Sequence, residues 1–376
     1  MSVEDRQTSI RGASELNSAN SFADYLEAYR SLALEEFESL LSEWETGIFG
    51  QAPVPEEAYT QIREYAEGGK KFRGALVLLG YELASDESAV RIIRSSLAYE
   101  LIHAAFLIHD DVMDRSLTRR HADTAHVAFE KLGRKLGREE PEQYGVSMAI
   151  NAGDIGPAIA YNVVCAEDLP PNRILDGMIC LNRIIIETVL GQFLDVTLSI
   201  TDQPDEEAVL EIHRLKTANY TVTGALRLGA SLGGANETAD GRELLHRLAE
   251  FGDPVGIAFQ IQDDHLGMFA TEGELGKDVS SDLQEQKNTL LFLHTLRHGS
   301  PEHRSELTSA LGTKAEGEAL ERVQAALKES GAADYSETRA RQLVSEGKAV
   351  IPRLTEDTRL AKLLGELADF VIARGF

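Results

Sequence analysis

The stretch that decides the fold is Leu101-Ile102-His103-Ala104-Ala105-Phe106-Leu107-Ile108-His109-Asp110-Asp111-Val112-Met113-Asp114, an apolar run closing on three aspartates. On a helix, Asp110 and Asp114 are one turn apart and project from one face. His103, one heptad before Asp110, lies on that face, and so does Phe106. Adjacent like charges at the end of an apolar run are costly unless a cation sits between them. Carboxylates are hard oxygen ligands, so the expected cation is Mg2+. Five residues beyond Asp114 stand Arg119 and Arg120, a pair suited to bidentate phosphate contacts. A second apolar run, Phe259-Gln260-Ile261-Gln262-Asp263-Asp264, also ends in paired aspartates, 153 positions after the first. Two acidic clusters with basic residues nearby suggest a site that holds a polyphosphate through metal ions.

Outward from these runs the chain reads as helices. From Phe22, apolar residues recur at three- and four-residue steps through Trp44. Asp86 to Asp114 reads as one long helix. Leu132 to Tyr144 reads as a charged surface loop. Gly153, Gly156 and their small neighbours allow either close helix contact or open space beside the helix. Asn172 to Ile200 is apolar on most of its circumference and is expected to be largely buried. Further helical stretches cover Glu206 to Gly229, Gly241 to Phe269 and the C-terminal third. No convincing strand run appears. The expectation is an all-α fold of roughly ten helices: a flexible tail over 1–20, then one domain over 21–376.

The chain has 376 residues, 43% hydrophobic, with a formal charge of -25 from 62 acids and 37 bases. So acidic a chain lacks the basic footprint of sequence-independent nucleic-acid binding. It also argues against docking on an anionic membrane. An anionic ligand would need local cations or metals to overcome the global field. The two cysteines, Cys165 and Cys180, fall in apolar sequence and read as buried free thiols of a reducing compartment. No signal peptide and no run of about 18 apolar residues is present, so a cytoplasmic protein is expected.

Other constellations are modest one at a time. Gly68-Gly69-Lys70-Lys71-Phe72-Arg73 is glycine-rich but lacks P-loop spacing. Lys70 and Arg73 can share a helical face and form a second anion pocket, which glycines let the chain approach. Lys216-Thr217, Gln260, Lys277 and Lys287 are individually ordinary surface or core residues. His103 on an apolar face reads equally as a core histidine or a ligand contact.

Taken in order, GGKxxR, ExxH, DDxxDx4RR, GQxxD (Gly191 to Asp195), KT, FQxxDD, GK and K, the chain resembles the trans-isoprenyl diphosphate synthases, or polyprenyl synthetases, from about Phe22 onward. The resemblance implies an all-α prenyltransferase fold, usually homodimeric, around a central cavity. It implies that Asp110, Asp114 and Asp263 hold Mg2+, three ions per site, on an allylic diphosphate. Arg119, Lys216, Thr217, Gln260, Lys277 and Lys287 would contact that diphosphate, with Asp110, Asp114, Arg119, Lys216, Asp263 and Lys277 as the catalytic set. Lys70, Arg73, His103 and Arg120 would hold isopentenyl diphosphate. Two positions depart from the family pattern. Gly267 stands where a third aspartate usually closes the second motif, and His121 follows the arginine pair where glycine is usual.

The implied chemistry is ionisation of the allylic C–O bond, attack by the double bond of isopentenyl diphosphate, and loss of a proton. A dry apolar cavity would protect the cation. Phe106, one turn below Asp110, and the small Ala105 would set the floor for the growing chain. One bulky and one small residue suggest a C20 product, geranylgeranyl diphosphate, from C5 to C15 allylic primers. Farnesyl or longer-chain synthesis is the alternative. A class I terpene cyclase would need a different second motif, and a non-catalytic partner subunit would be expected to lose the acidic and basic residues kept here.

Overall fold

The computed structural model describes residues 14–47, 49–51, 56–202, 204–270 and 280–373. Lys277 and most of the expected tail lie outside the described residues. The chain is helical nearly throughout and divides into two compact units, Met1–Cys180 with Ala225–Leu245, and Leu181–Gly224 with His246–Phe376. Among the described residues, no helix is long and apolar enough to cross a membrane.

In the first unit, α1 (Phe22–Thr46) starts at Ser21, whose hydroxyl accepts from the Asp24 amide at 3.1 Å, a capping bond for an orphan helical N–H. Its buried face carries Phe22, Tyr25, Leu26, Tyr29, Leu32, Phe37, Leu40 and Leu41, the stripe read from the sequence. Leu16, within the expected tail, is fully buried. After α2 (Glu56–Glu67) and α3 (Phe72–Ala84) comes a 3-10 turn at Ala89–Ile92, and α4 covers Ile93–Met113. The long helix therefore begins at Ile93, not Asp86, because the run Ser85-Asp86-Glu87-Ser88 favours turns over helix.

A two-residue antiparallel ribbon, β1 (Thr118–Arg119) with β2 (Ala122–Asp123), follows α4, with Arg119 opposite Ala122. No strand was expected here, since ribbons this short leave no alternation to read. Next are α5 (Ala125–Lys135) and α6 (Pro141–Cys165). The charged loop expected over Leu132–Tyr144 shrinks to a few residues between them. α5 buries Phe129 and Leu132, and Pro141 sits in the first turn of α6, where its missing N–H costs nothing. The small residues of α6 make close contact: a Cβ on Gly156 would lie 2.9 Å from the Ala105 Cβ and 3.0 Å from the Leu101 carbonyl of α4.

The long helix α7 (Pro171–Thr197) corrects another expectation. It buries Leu181, Ile184, Thr188 and Gly191. Its opposite face exposes Leu175, Ile179, Ile186, Val189, Leu190, Phe193 and Val196. The cysteines also differ from expectation: Cys165 is exposed and Cys180 half-buried.

In the second unit, α8 (Glu206–Ile212) runs into an eleven-residue π-helix, His213–Thr223, after which α9 (Gly224–Leu232) belongs almost wholly to the first unit. The Gly224 amide donates to the Asn219 carbonyl, the i→i+5 bond that defines this winding. The sequence Thr217-Ala218-Asn219-Tyr220-Thr221-Val222-Thr223 is rich in β-branched residues, which lose rotamer freedom in an α-helix. α10 (Ala239–Phe269) carries the second aspartate pair, and α11 (Ser281–Gln284) and α12 (Leu290–His298) come next. Further C-terminal helices close the unit, from Pro301–Ala310 to Thr358–Phe370.

Candidate active site

In the first unit the three aspartates divide their labour. The Asp114 amide donates to the Asp110 carbonyl at 2.8 Å, so both half-buried carboxylates share one helical face. Asp111, between them, is fully buried. Its carboxylate accepts from Arg119 Nε at 2.8 and 3.0 Å and from Arg119 Nη2 at 2.7 Å. Tyr65 Oη donates to it at 2.6 Å and accepts from the Ala125 amide at 3.1 Å, which ties the start of α5 to the same group. Burial works against the Arg119 charge, but the bonds and charge of Asp111 outweigh it, and the guanidinium is held more strongly protonated than usual. Burial pushes the Tyr65 phenol up, and the neighbouring Asp111 charge adds to it.

The ribbon aims the two arginines differently. Its turn residues, Arg120 and His121, have φ of 51° and 64°, the paired left-handed geometry of a type I′ hairpin. This explains why glycine suits position 121. Arg119 turns to Asp111, whereas the Arg120 guanidinium lies on the Gly68-Gly69 backbone. A Cβ on Gly68 would collide with it, and one on Gly69 would come within 2.9 Å of Nη2. The double glycine is thus a seat for Arg120.

The rest of that loop is fixed from within. Lys71 is buried, donates to the carbonyls of Gly68 (2.9 Å) and Ala66, and stands over the Phe37 ring. Lys70 remains exposed. Arg73 Nη1 lies 3.2 Å from His103 Nε2. Arginine can only donate, so His103 accepts there and carries its proton on Nδ1. Burial, then the charges of Arg73, Arg120, Arg119 and Lys71, hold His103 well below the ordinary imidazole range. Three residues earlier, Glu100 accepts from the Gly74 amide at 2.7 Å. Arg73 and Arg120 are thus two cations around a neutral His103.

In the second unit a buried polar chain links the second aspartates to the π-helix. Thr217 Oγ1 donates to Gln260 Oε1 at 2.7 Å, and Gln260 Nε2 donates to Asp264 Oδ1 at 2.7 Å. Lys287 Nζ lies 3.0 Å from Asp264 Oδ1 and 3.5 Å from Asp282 Oδ1. Burial works against the Lys287 charge, but Asp264, Asp282 and Asp263 hold its pKa well above the ordinary range. His213 Nε2 is 3.3 Å from the Asn288 carbonyl and 3.4 Å from Asp264 Oδ2. Lys216 Nζ meets Asp195 Oδ2 at 2.7 Å. Lys216, Lys287 and the Asn288 amide outweigh burial and hold the Asp195 carboxyl below its usual range. Gly191 permits this, because a Cβ there would collide with the Lys216 backbone.

The donor chemistry fits Mg2+. Asp110 and Asp114 in the first unit, and Asp263 in the second, carry the hard oxygens that this ion prefers. Among the described residues, no three His, Cys, Asp or Glu side chains form a closed cage. Mg2+ is commonly bound by one or two carboxylates, with water and substrate phosphates completing its shell.

A family model described as polyprenyl synthetase matches residues 55–329. The chain belongs to the polyprenyl synthetase family. It is therefore a prenyltransferase with the family's all-α fold, as its motifs imply. A geranylgeranyl pyrophosphate synthase of Geoglobus acetivorans is 32% identical over 91% of this chain and 96% of its own length. A geranylfarnesyl diphosphate synthase of Aeropyrum pernix is 31% identical over 82% and 91%. Among solved structures, a geranylgeranyl pyrophosphate synthase of Corynebacterium glutamicum, complexed with isoprenyl diphosphate and magnesium, superposes with a TM-score of 0.85. It has 28% identity and covers 93% of this chain and 99% of its own.

Sequence reading had left Tyr65, Asp195, His213 and Asp282 without roles. Asp195 was signalled by its place in the Gly191-Gln192-Phe193-Leu194-Asp195 run. Tyr65 and His213 carry no local signal, since only tertiary packing brings them to Asp111 and Asp264.

Proposed function

We propose that this prenyltransferase is a Mg2+-dependent short-chain synthase that condenses isopentenyl diphosphate with allylic diphosphates, C5 to C15, to give geranylgeranyl diphosphate. The observation that carries the reading is the division within the first aspartate motif. Asp111 is consumed in holding Arg119, while Asp110 and Asp114 share a helical face. Asp110, Asp114 and Asp263 would hold the ions, three per site. When bound, Mg2+ neutralises charge on the departing diphosphate. Arg119, Lys216, Thr217, Gln260, Lys277 and Lys287 bind the allylic diphosphate and disperse its charge as the C–O bond breaks. Lys70, Arg73, Arg120 and neutral His103 hold isopentenyl diphosphate so that its double bond meets the cation. The released diphosphate takes the proton.

Ala105, packed against Gly156, and Phe106 are the floor that limits chain growth. A C25 product is the second reading, supported by relatives named as geranylfarnesyl diphosphate synthases. The exposed apolar stripe of α7 supports a homodimer, since a monomer rarely leaves so long a stripe in water. The low cysteine content, two in 376 residues, suits a cytoplasmic location.

The test is incubation of the purified protein with isopentenyl diphosphate and each of the C5, C10 and C15 allylic diphosphates, with and without Mg2+, followed by chromatographic sizing. A C20 chain formed only with the metal is expected. A cyclised hydrocarbon, or no turnover in any combination, refutes the proposal.

A further inference from the structure

Among the described residues, two side chains bond to Asp111, and only one of them is a cation. The other is Tyr65, buried on α2, whose Oη lies 2.6 Å from Asp111 Oδ2. Burial and the Asp111 charge keep the phenol protonated, so it donates there. The same oxygen accepts from the Ala125 amide at 3.1 Å. That amide opens α5, and an N–H in the first turn has no partner inside its own helix. Thr124, in the cap position, gives α5 no side-chain bond, and its hydroxyl donates instead to the Ser116 carbonyl at 2.7 Å. One phenol oxygen therefore ties down both ends of the segment that carries Arg119: Asp111 near the end of α4, and Ala125 at the start of α5.

Arg119 spends one edge of its fork on the same carboxylate. Its Nε donates to Oδ2 at 2.8 Å and to Oδ1 at 3.0 Å, and its Nη2 donates to Oδ1 at 2.7 Å. Among the described residues, Nη1 has no hydrogen bond or ion pair, and the side chain is part-exposed. We infer that Tyr65 is a positioning residue for Arg119: by fixing Asp111 Oδ2 it holds the guanidinium by its Nε edge and leaves Nη1 for the allylic diphosphate. The oxygen bonded to Tyr65 is the one to which Nε comes closer. Without the hydroxyl, the carboxylate is free to turn about its own bond to the chain, and the fork turns with it. The pocket read as holding isopentenyl diphosphate has separate supports. Arg120 lies on the Gly68-Gly69 backbone, and Lys71 donates to the carbonyls of Ala66 and Gly68. The influence of Tyr65 is therefore confined to one of the two diphosphates.

The inference rests on the proposed reading of Arg119 as a contact to the allylic diphosphate. Tyr65→Phe deletes one oxygen and keeps the ring. Steady-state turnover with Mg2+ is measured for the parent, Tyr65→Phe, Arg119→Lys and the double variant. Farnesyl diphosphate and isopentenyl diphosphate are varied in turn, and circular dichroism reports folding. Tyr65→Phe is expected to raise the KM for farnesyl diphosphate by about tenfold, the scale of one lost bond to a charged group, and to leave the KM for isopentenyl diphosphate within about twofold. Lysine lacks the planar fork, so in the Arg119→Lys background the same change should add less than about twofold. An unchanged KM for farnesyl diphosphate, an equal rise for both substrates, or an undiminished rise in the Arg119→Lys background overturns the inference. A Tyr65→Phe chain that does not fold overturns it too, because the hydroxyl is then a determinant of the fold and not a positioning group. A parent protein with no turnover overturns the functional reading instead.

Discussion

Asp110 and Asp111 are neighbours in sequence, yet their loss should be felt in different observables. Asp111 is fully buried and meets Arg119 through three contacts of 2.7–3.0 Å, with Tyr65 Oη at 2.6 Å. Removing one partner of such a pair leaves a buried charge uncompensated, at a cost of about 3–5 kcal/mol. The Arg119 side chain keeps 29% of its exposure, so water screens part of the loss and the lower end applies, about 3 kcal/mol. For a cooperative unit of roughly 200 residues, each kcal/mol moves the melting temperature by about 2–4 °C, so Asp111→Asn should lower it by roughly 6–12 °C. Asp110→Asn removes a half-buried carboxylate and should shift melting by no more than about 2 °C. Its effect should fall on turnover, which drops by about a hundredfold or more as metal affinity is lost. Circular-dichroism melts together with Mg2+ titrations of turnover measure both. If Asp111→Asn melts like the parent, or if the two variants lose Mg2+ affinity equally at unchanged stability, the division of roles is wrong.

His103 sets a pH dependence. Burial and the surrounding cations depress its folded pKa below the unfolded value of about 6.5. Its contribution to stability is complete above that value and is lost as pH falls through it towards the folded pKa, with a slope of at most about 1.4 kcal/mol per pH unit. His103→Gln should flatten the fall in melting temperature between pH 7.5 and 5, and parallel curves for parent and variant would refute this. His121→Gly relieves a left-handed turn position and should stabilise the protein by about 0.5–1 kcal/mol in thermal melts; a loss of stability counts against the hairpin geometry. Phe106→Ala should lengthen the product on reversed-phase chromatography, and an unchanged product removes Phe106 as the floor. Phe193→Glu with Val196→Glu should convert a dimer to monomers in sedimentation velocity, and a parent that already sediments as a monomer refutes the homodimer.

Helices were legible wherever periodicity ran for several turns, as in α1 and in the Leu101–Asp114 run. The candidate site could be proposed from sequence wherever residue type and spacing alone suggest chemistry, as with Asp110, Asp114 and the arginine pair. What escaped was decided by partners distant in sequence. The apolar circumference of α7 reads as a core helix, and nothing local reveals that Phe193 and Val196 face outward. Neither Asp111 nor Asp264 differs from its neighbour until Tyr65, Arg119, His213 and Lys287 arrive from elsewhere. The ribbon at Thr118–Asp123 is too short for any periodicity, and its turn is built from non-glycine residues.

The π winding of His213–Thr223 makes the aim of Lys216 and Thr217 a matter of counting. Each residue on an α-helix advances the azimuth by about 100°, and the wider i→i+5 spiral absorbs a surplus residue without breaking the rod. Excising a single amino acid between Asn219 and Thr223 would let the segment tighten, and the helical residues just ahead of it, His213 to Ala218, would turn by roughly that angle about the helix axis. The lysine would then swing off Asp195 and the threonine off Gln260, although not one of those four side chains had been altered.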